Sequence, residues 1–154
     1  MNVAFINPFL SSLVNVLTTM ANIEVTFDKP HLKTDNKSMG DVTGIIGMAG
    51  EKIKGSLAIS FSESAILDIT SRMLGEKIEK LDETVIDMVG EITNMVTGGA
   101  KKELVQQGFK FELAIPMMVT GKGHIVMHKT NGPIVVIPFK VESGEFFVEV
   151  CFNK

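Results

Sequence analysis

Residues 82–107 read DETVIDMVGEITNMVTGGAKKELVQQ, and the periodicity of this stretch decides the layout of the chain. Val85, Met88, Val89, Ile92, Met95 and Val96 recur at helical spacing, which predicts one long amphipathic helix from Asp82 or Glu83 to near Gly108. Opposite them stand Asp87, Glu91 and Asn94, spaced by four and then three, so the three side chains form one stripe. Solvated helix faces favour long Lys and Glu chains. Asn is a poorer choice in a helix interior, because its amide competes for backbone hydrogen bonds. From spacing alone, a solvated face still carries more weight than a functional one. Gly98-Gly99 interrupts the same helix at a cost in propensity. Close packing on a sheet is the favoured reason for the pair, and room for a partner's backbone near Asn94 is the other.

Working outward, Phe5, Phe9, Leu13, Val16, Leu17 and Met20 also follow a helical period. This N-terminal run lacks a positively charged start and is broken by polar residues, so it reads as an amphipathic core helix rather than a signal peptide. Residues 22–28 alternate, with Ile23, Val25 and Phe27 expected inward on a half-buried strand. HLKTDNKSMGD (31–41) reads as a loop. Val42 to Met48 and Ile53 to Phe61 read as strands joined by the turn Ala49-Gly50-Glu51-Lys52, a connection too short for a parallel crossover. Ser62 is the expected N-cap of a helix through Leu74, which Gly75 ends. Strands are expected over 109–120, 124–129, 133–142 and 145–152, with Asn131-Gly132 and Ser143-Gly144 as turn signals. Segregated strands and helices predict an α+β fold, an antiparallel sheet with helices packed on one face. No linker is evident, so residues 1–154 are expected to form a single domain.

Composition narrows the function. With 154 residues, 45% hydrophobic and 21% charged, the chain is globular and large enough for a core without disulfides. A net charge of −3 offers no basic patch for nucleic acid. No uninterrupted run of eighteen apolar residues suggests a membrane span. Cys151 is the sole cysteine, which fits a reducing, cytoplasmic setting, and its place between Val150 and Phe152 suits packing better than nucleophilic chemistry. His124 and His128 on one strand would lie about 13 Å apart, too far to share a metal. GMAGEKIKGS lacks the phosphate-cradling spacing, and no Gly-x-Ser-x-Gly elbow occurs.

What remains is the acid–amide pair. The Asn94 amide is neutral, so it is no general base, but it donates and accepts at once and is able to hold a water in line with a phosphorus atom. Phosphoryl transfer is accelerated by such positioning, as by the glutamine of GTPases. Glu91 on the same face is suited to gripping a cation on a partner that carries the phosphoryl group.

The pattern resembles that of the CheC/CheX/FliY family of chemotaxis phosphatases: Asp/Ser-x-x-x-Glu-x-x-Asn, then Pro about twenty residues later. Here the residues are Asp87-Met-Val-Gly-Glu91-Ile-Thr-Asn94, with Pro116 after 21 intervening residues. The order of elements is similar over nearly the whole chain. CheC-like members carry two copies of the motif and CheX-like members one. The earlier stretch ESAILDITSRM offers Ser64, Asp68 and Ser71 at the same spacings, but Asp is shorter than Glu and Ser has no planar amide. It reads as a non-functional echo or a coincidence, and a single copy without an appended flagellar-switch domain points to the CheX-like branch.

The resemblance implies dephosphorylation of a phosphorylated CheY-like receiver domain, Asn94 orienting the attacking water and Glu91 pairing with the receiver's Lys. It implies no cofactor of the chain's own, the Mg²⁺ belonging to the receiver. Asp87 and Gly98 are partner-binding candidates, and Pro116 is expected to set strand geometry beneath the helix. The resemblance to CheX-like members also implies a homodimer formed through sheet edges. PIVVIPFKVE (133–142) and EFFVEVCF (145–152) would be aggregation-prone if left unpaired at an edge. The alternative is a non-catalytic receiver-binding or flagellar signalling module of the same fold.

Overall fold

A computed structural model describes residues 3–35, 37–51, 53–128 and 130–153. Along the chain the elements are α1 (Val3–Ala21), β1 (Thr26–Phe27), β2 (His31–Leu32), β3 (Val42–Ala49), β4 (Lys54–Phe61), α2 (Glu63–Leu74), α3 (Glu83–Gln106), β5 (Glu112–Leu113), β6 (Met117–Thr120), β7 (Ile134–Val141) and β8 (Gly144–Asn153). Among the described residues the strands form one eight-stranded sheet, β1-β7-β8-β4-β3-β5, with β2 also on β7 and β6 also on β3. Every pairing in it is antiparallel. Helices cover one face, so the fold is α+β as expected.

Local chemistry sets the helix ends. Ser62 caps α2 by accepting from the Ala65 N–H at 3.4 Å, and Gly75 closes it with φ +70. Asp82 does the same for α3, accepting from the Val85 N–H at 3.3 Å. Each cap satisfies a backbone donor that the helix leaves unpaired.

The core lies between the helices and the sheet. Phe9, Leu13 and Leu17 of α1, Ile66 and Ile69 of α2, and Val85, Val89, Ile92 and Val96 of α3 meet Val42, Ile46, Leu57, Ile59, Phe61, Phe139 and Phe146 from the strands. Each such side chain contributes about 1.5–3 kcal/mol on burial. By length and composition α1 would suffice to cross a bilayer, yet here its apolar stripe is core. Depth of packing is set at Gly44 on β3, where a Cβ would overlap Thr93 Oγ1 and lie 3.1 Å from Val89 Cγ1 of α3. Position 44 must be bare for α3 to sit so low on the sheet.

Four element expectations fail for tertiary reasons. Of 109–120 only Glu112–Leu113 and Met117–Thr120 are strand, each paired with β3 and separated by 114–116. Of 22–28 only Thr26–Phe27 pairs with β7; Ile23 is buried but Phe27 is half exposed. His31–Leu32, expected in a loop, pairs with Val136 and Val135. Residues 124–128 join no named strand and bridge only Ile125 to Lys37. They run instead as an extended strap over the sheet face away from the helices. Met1, Asn2, Lys52 of the expected turn, and Lys129 of that expected strand lie outside the described residues.

The strap is held by buried polar contacts. His128 Nε2 is 3.1 Å from Glu149 Oε1, so it donates to that carboxylate, and His128 Nδ1 contacts the Ser56 hydroxyl. Lys33 Nζ donates to the other Glu149 oxygen at 2.8 Å. His124 takes the opposite orientation, Nδ1 donating to Gly121 O at 2.6 Å and Nε2 meeting Thr43 Oγ1 at 2.5 Å. The two histidines therefore serve separate hydroxyls, and among the described residues no group of three or more His, Cys, Asp or Glu could hold a metal ion.

Candidate functional site

The stripe foreseen on α3 faces solvent. Asp87, Glu91, Asn94 and Gly98 are all exposed, while Val89, Gly90, Ile92, Thr93, Val96 and Thr97 beneath them are buried. Among the described residues, none of the Asp87, Glu91 and Asn94 side chains has a hydrogen-bond or ion-pair partner. Two polar side chains sit buried directly under them. Thr93 Oγ1 donates to Val89 O at 2.7 Å; Thr97 Oγ1 donates to Thr93 O at 2.6 Å and to Asn94 O at 3.2 Å. These back-bonds satisfy hydroxyls that would otherwise be costly to bury. They also engage the peptide carbonyl of Asn94 itself, leaving its side chain free. Nothing in the hydrophobic periodicity marked these threonines as supports, although two threonines four apart on the buried side were a visible signal.

Gly98 and Gly99 part company. A Cβ at Gly99 would overlap the Ser12 hydroxyl of α1, whereas one at Gly98 would meet nothing within 4 Å. Gly99 is thus a packing glycine, and Gly98 opens the surface one turn beyond Asn94.

Pro116 precedes β6 on the sheet edge beside α3. Leu113 pairs with Met48 and Met117 with Ile45, so residues 114–116 face only Ile46 and Gly47. That one-residue excess is a β-bulge, a place where Pro costs no ladder bond. The helix runs alongside: Lys101 Nζ is 3.4 Å from Glu112 Oε2, and a Cβ at Gly90 would lie 3.1 Å from Met118 Sδ. Between these two points Asn94 lies on the helix and Ile115 on the strand.

The echo in α2 is occupied. Asp68 Oδ1 accepts from Arg72 Nε at 3.2 Å, and Ser71 Oγ both donates to Leu67 O at 2.7 Å and accepts from the Ile78 N–H at 2.9 Å. Its polar groups serve the fold, in contrast to those of α3. Cys151 is buried, its thiol donating to Thr130 O at 3.3 Å, and burial pushes its pKa up. A raised thiol pKa is the opposite of what a nucleophile needs.

Clefts of about 520 and 550 Å³ are lined by Gly50, Lys110 and Phe111 and by Leu10, Val14 and Phe27 respectively, and neither reaches Glu91 or Asn94. Glu91 and Asn94 stand on a convex helix face, outside both clefts. The class so defined is a helix-on-sheet protein with an exposed, unpartnered acid–amide pair on one helix.

The particular family follows from comparison. The family model described as chemotaxis phosphatase CheX matches residues 42–140, which include Glu91, Asn94 and Pro116. The chain belongs to this CheX family. It is 28% identical over 148 residues to the CheY-P phosphatase CheX of Thermotoga maritima, covering 96% of this chain and 94% of that protein. It is 52% identical to the chemotaxis protein CheX of Vibrio vulnificus, with a TM-score of 0.91 over 97% of this chain and 99% of that one. The CheX of Borrelia burgdorferi, solved in complex with CheY, beryllofluoride and Mg²⁺, shares the fold at 24% identity and a TM-score of 0.83, covering 97% of this chain and 98% of that one.

Proposed function

We propose that this protein hydrolyses the aspartyl phosphate of a CheY-type receiver domain, releasing inorganic phosphate and the free carboxylate. The observation that carries this reading is the unpartnered Glu91–Asn94 pair on the exposed face of α3, within the matched family region. The relative from Thermotoga maritima bears the name of that activity.

In this mechanism Asn94 enters the partner's phosphorylation site and aligns a water for in-line attack, supplying position rather than a base. Glu91 pairs with the receiver's Lys and fixes the helix against the partner. Mg²⁺ belongs to the receiver, and the chain contributes no cofactor. Asp87 and Gly98 border the contact, the bare backbone of Gly98 leaving space for the partner. The protein works in the cytoplasm as a single domain, bound to neither membrane nor nucleic acid.

It also forms a homodimer through a sheet edge. The long apolar strands β7 and β8 are not themselves open, since β8 lies between β7 and β4, and β7 is flanked by β1 and β2. The edge left for self-pairing is β1/β2, with exposed Phe27 and Leu32, since the bulge and Pro116 interrupt the β5/β6 edge. Sedimentation measures that association.

Decay of radiolabelled phosphorylated receiver, with and without the protein, tests the activity. Catalytic acceleration by substoichiometric protein is expected. Docking without acceleration would replace the enzyme with a non-catalytic receiver-binding module.

A further inference from the structure

We infer that Ile115 is a specificity-determining contact for the partner that the Glu91–Asn94 face engages, an inference that rests on the function proposed above. Its side chain is 91% exposed, the highest value among the exposed large hydrophobic residues described, in a protein that buries Ile46, Ile59, Ile66, Ile69, Ile92 and Ile137 almost completely. Scattered surface apolar residues need no explanation, but this one is held out by construction. The bulge at 114–116 takes it off the regular alternation of the strand, and Pro116 follows immediately.

Placement links it to the stripe. The Lys101–Glu112 and Gly90–Met118 contacts fix α3 and the edge segment side by side, with Asn94 and Ile115 in the intervals between them. A partner seated on Asn94 therefore reaches the bulge. The same bulge and proline blunt this edge against addition of another strand, so strand pairing by a second copy does not account for the exposed isoleucine. The occupant that fits is a folded receiver domain with an apolar patch beside its phosphorylation site. Ile115 would then discriminate between receivers that share identical phosphoryl chemistry, because the reacting groups alone read nothing outside that site.

The test uses the receiver domain that the unsubstituted protein dephosphorylates fastest, with a second receiver from the same cell. Ile115→Ser is expected to raise KM about tenfold for the first receiver while kcat stays within about twofold. Its preference over the second receiver should narrow, and its urea midpoint and sedimentation coefficient should not change. Unchanged KM and preference in Ile115→Ser, with the unsubstituted protein active, would overturn the inference and leave the phosphatase reading intact. A shift in sedimentation coefficient would also overturn it, assigning Ile115 to self-association. If the unsubstituted protein turns over no receiver, the underlying reading fails and the inference with it. An Asn94→Ala control, which should lose kcat, separates these cases.

Discussion

Gly99 of α3 lies against Ser12 of α1 so closely that a Cβ at position 99 would overlap the serine hydroxyl, while the adjacent Gly98 faces open space. The two glycines should respond to alanine with opposite signs. Gly98→Ala stabilises the helix by about 0.5–1 kcal/mol, whereas Gly99→Ala costs about 1–3 kcal/mol through overpacking. Urea unfolding of both variants checks this, and shifts of the same sign would contradict the assignment.

Asn94→Ala should lower kcat on phosphorylated receiver about a hundredfold while changing stability by less than about 0.5 kcal/mol, because the side chain is exposed and unpartnered. KM should move little, since a positioning contact acts chiefly in the transition state. An unmutated rate from this variant would end the water-positioning account.

Glu91→Gln keeps the shape and removes the charge. Loss of a charge-assisted pair is worth about 1.5–3 kcal/mol, so receiver affinity should fall about ten- to a hundredfold. The salt dependence of binding should weaken with it. Equal affinity and equal salt dependence, measured by titration with receiver, would remove Glu91 from the interface.

On the opposite face of the sheet, Glu149 is buried between Lys33 and His128, with side-chain exposures of 1%, 5% and 1%. Glu149→Gln strands the Lys33 charge and should cost about 3–5 kcal/mol. Lys33→Met should cost less, because His128 still donates to the carboxylate. Chemical denaturation ranks the two; a larger loss for Lys33→Met would show that Glu149 is not the hub.

Cys151 gives a pH signature. Burial raises its folded-state pKa above the ordinary 9.0, so the folded state holds this proton more tightly than the unfolded chain. Its contribution to stability is complete below about pH 9 and is lost as pH rises through the raised value. Cys151→Ala should flatten that alkaline loss in a pH series of urea midpoints, and a thiol reagent at pH 8 should react only on unfolding.

What could be read from the sequence follows locality. The caps Ser62, Gly75 and Asp82 act within their own turns, so α2 and the start of α3 were legible to within a residue and the end of α3 to within about two. The bulge at 114–116, the strap over 124–128 and the pairing of His31–Leu32 depend on strands distant in the chain, and no local alternation encodes them. At the site, the spacing of Glu91 and Asn94 placed them on one face, and their type narrowed the chemistry. Which of the two glycines was for packing was not legible, because Ser12 comes from the other end of the chain. Nor was the exposure of Ile115, which lies within the one-residue slip against β3.

The threonines sealed beneath the stripe have a consequence for how such a surface changes over time. Thr93 and Thr97 are satisfied by carbonyls of α3 itself, and the exposed Asp87, Glu91 and Asn94 side chains contribute little to folding. Substitutions on that face are thus close to neutral for the scaffold, so partner choice is free to drift, or the chemistry to vanish, without the chain ceasing to fold. Asp68 and Ser71 of α2 illustrate the other outcome: polar residues at the same spacing already engaged, Asp68 by Arg72 at the surface and Ser71 by the backbone of Leu67 and Ile78.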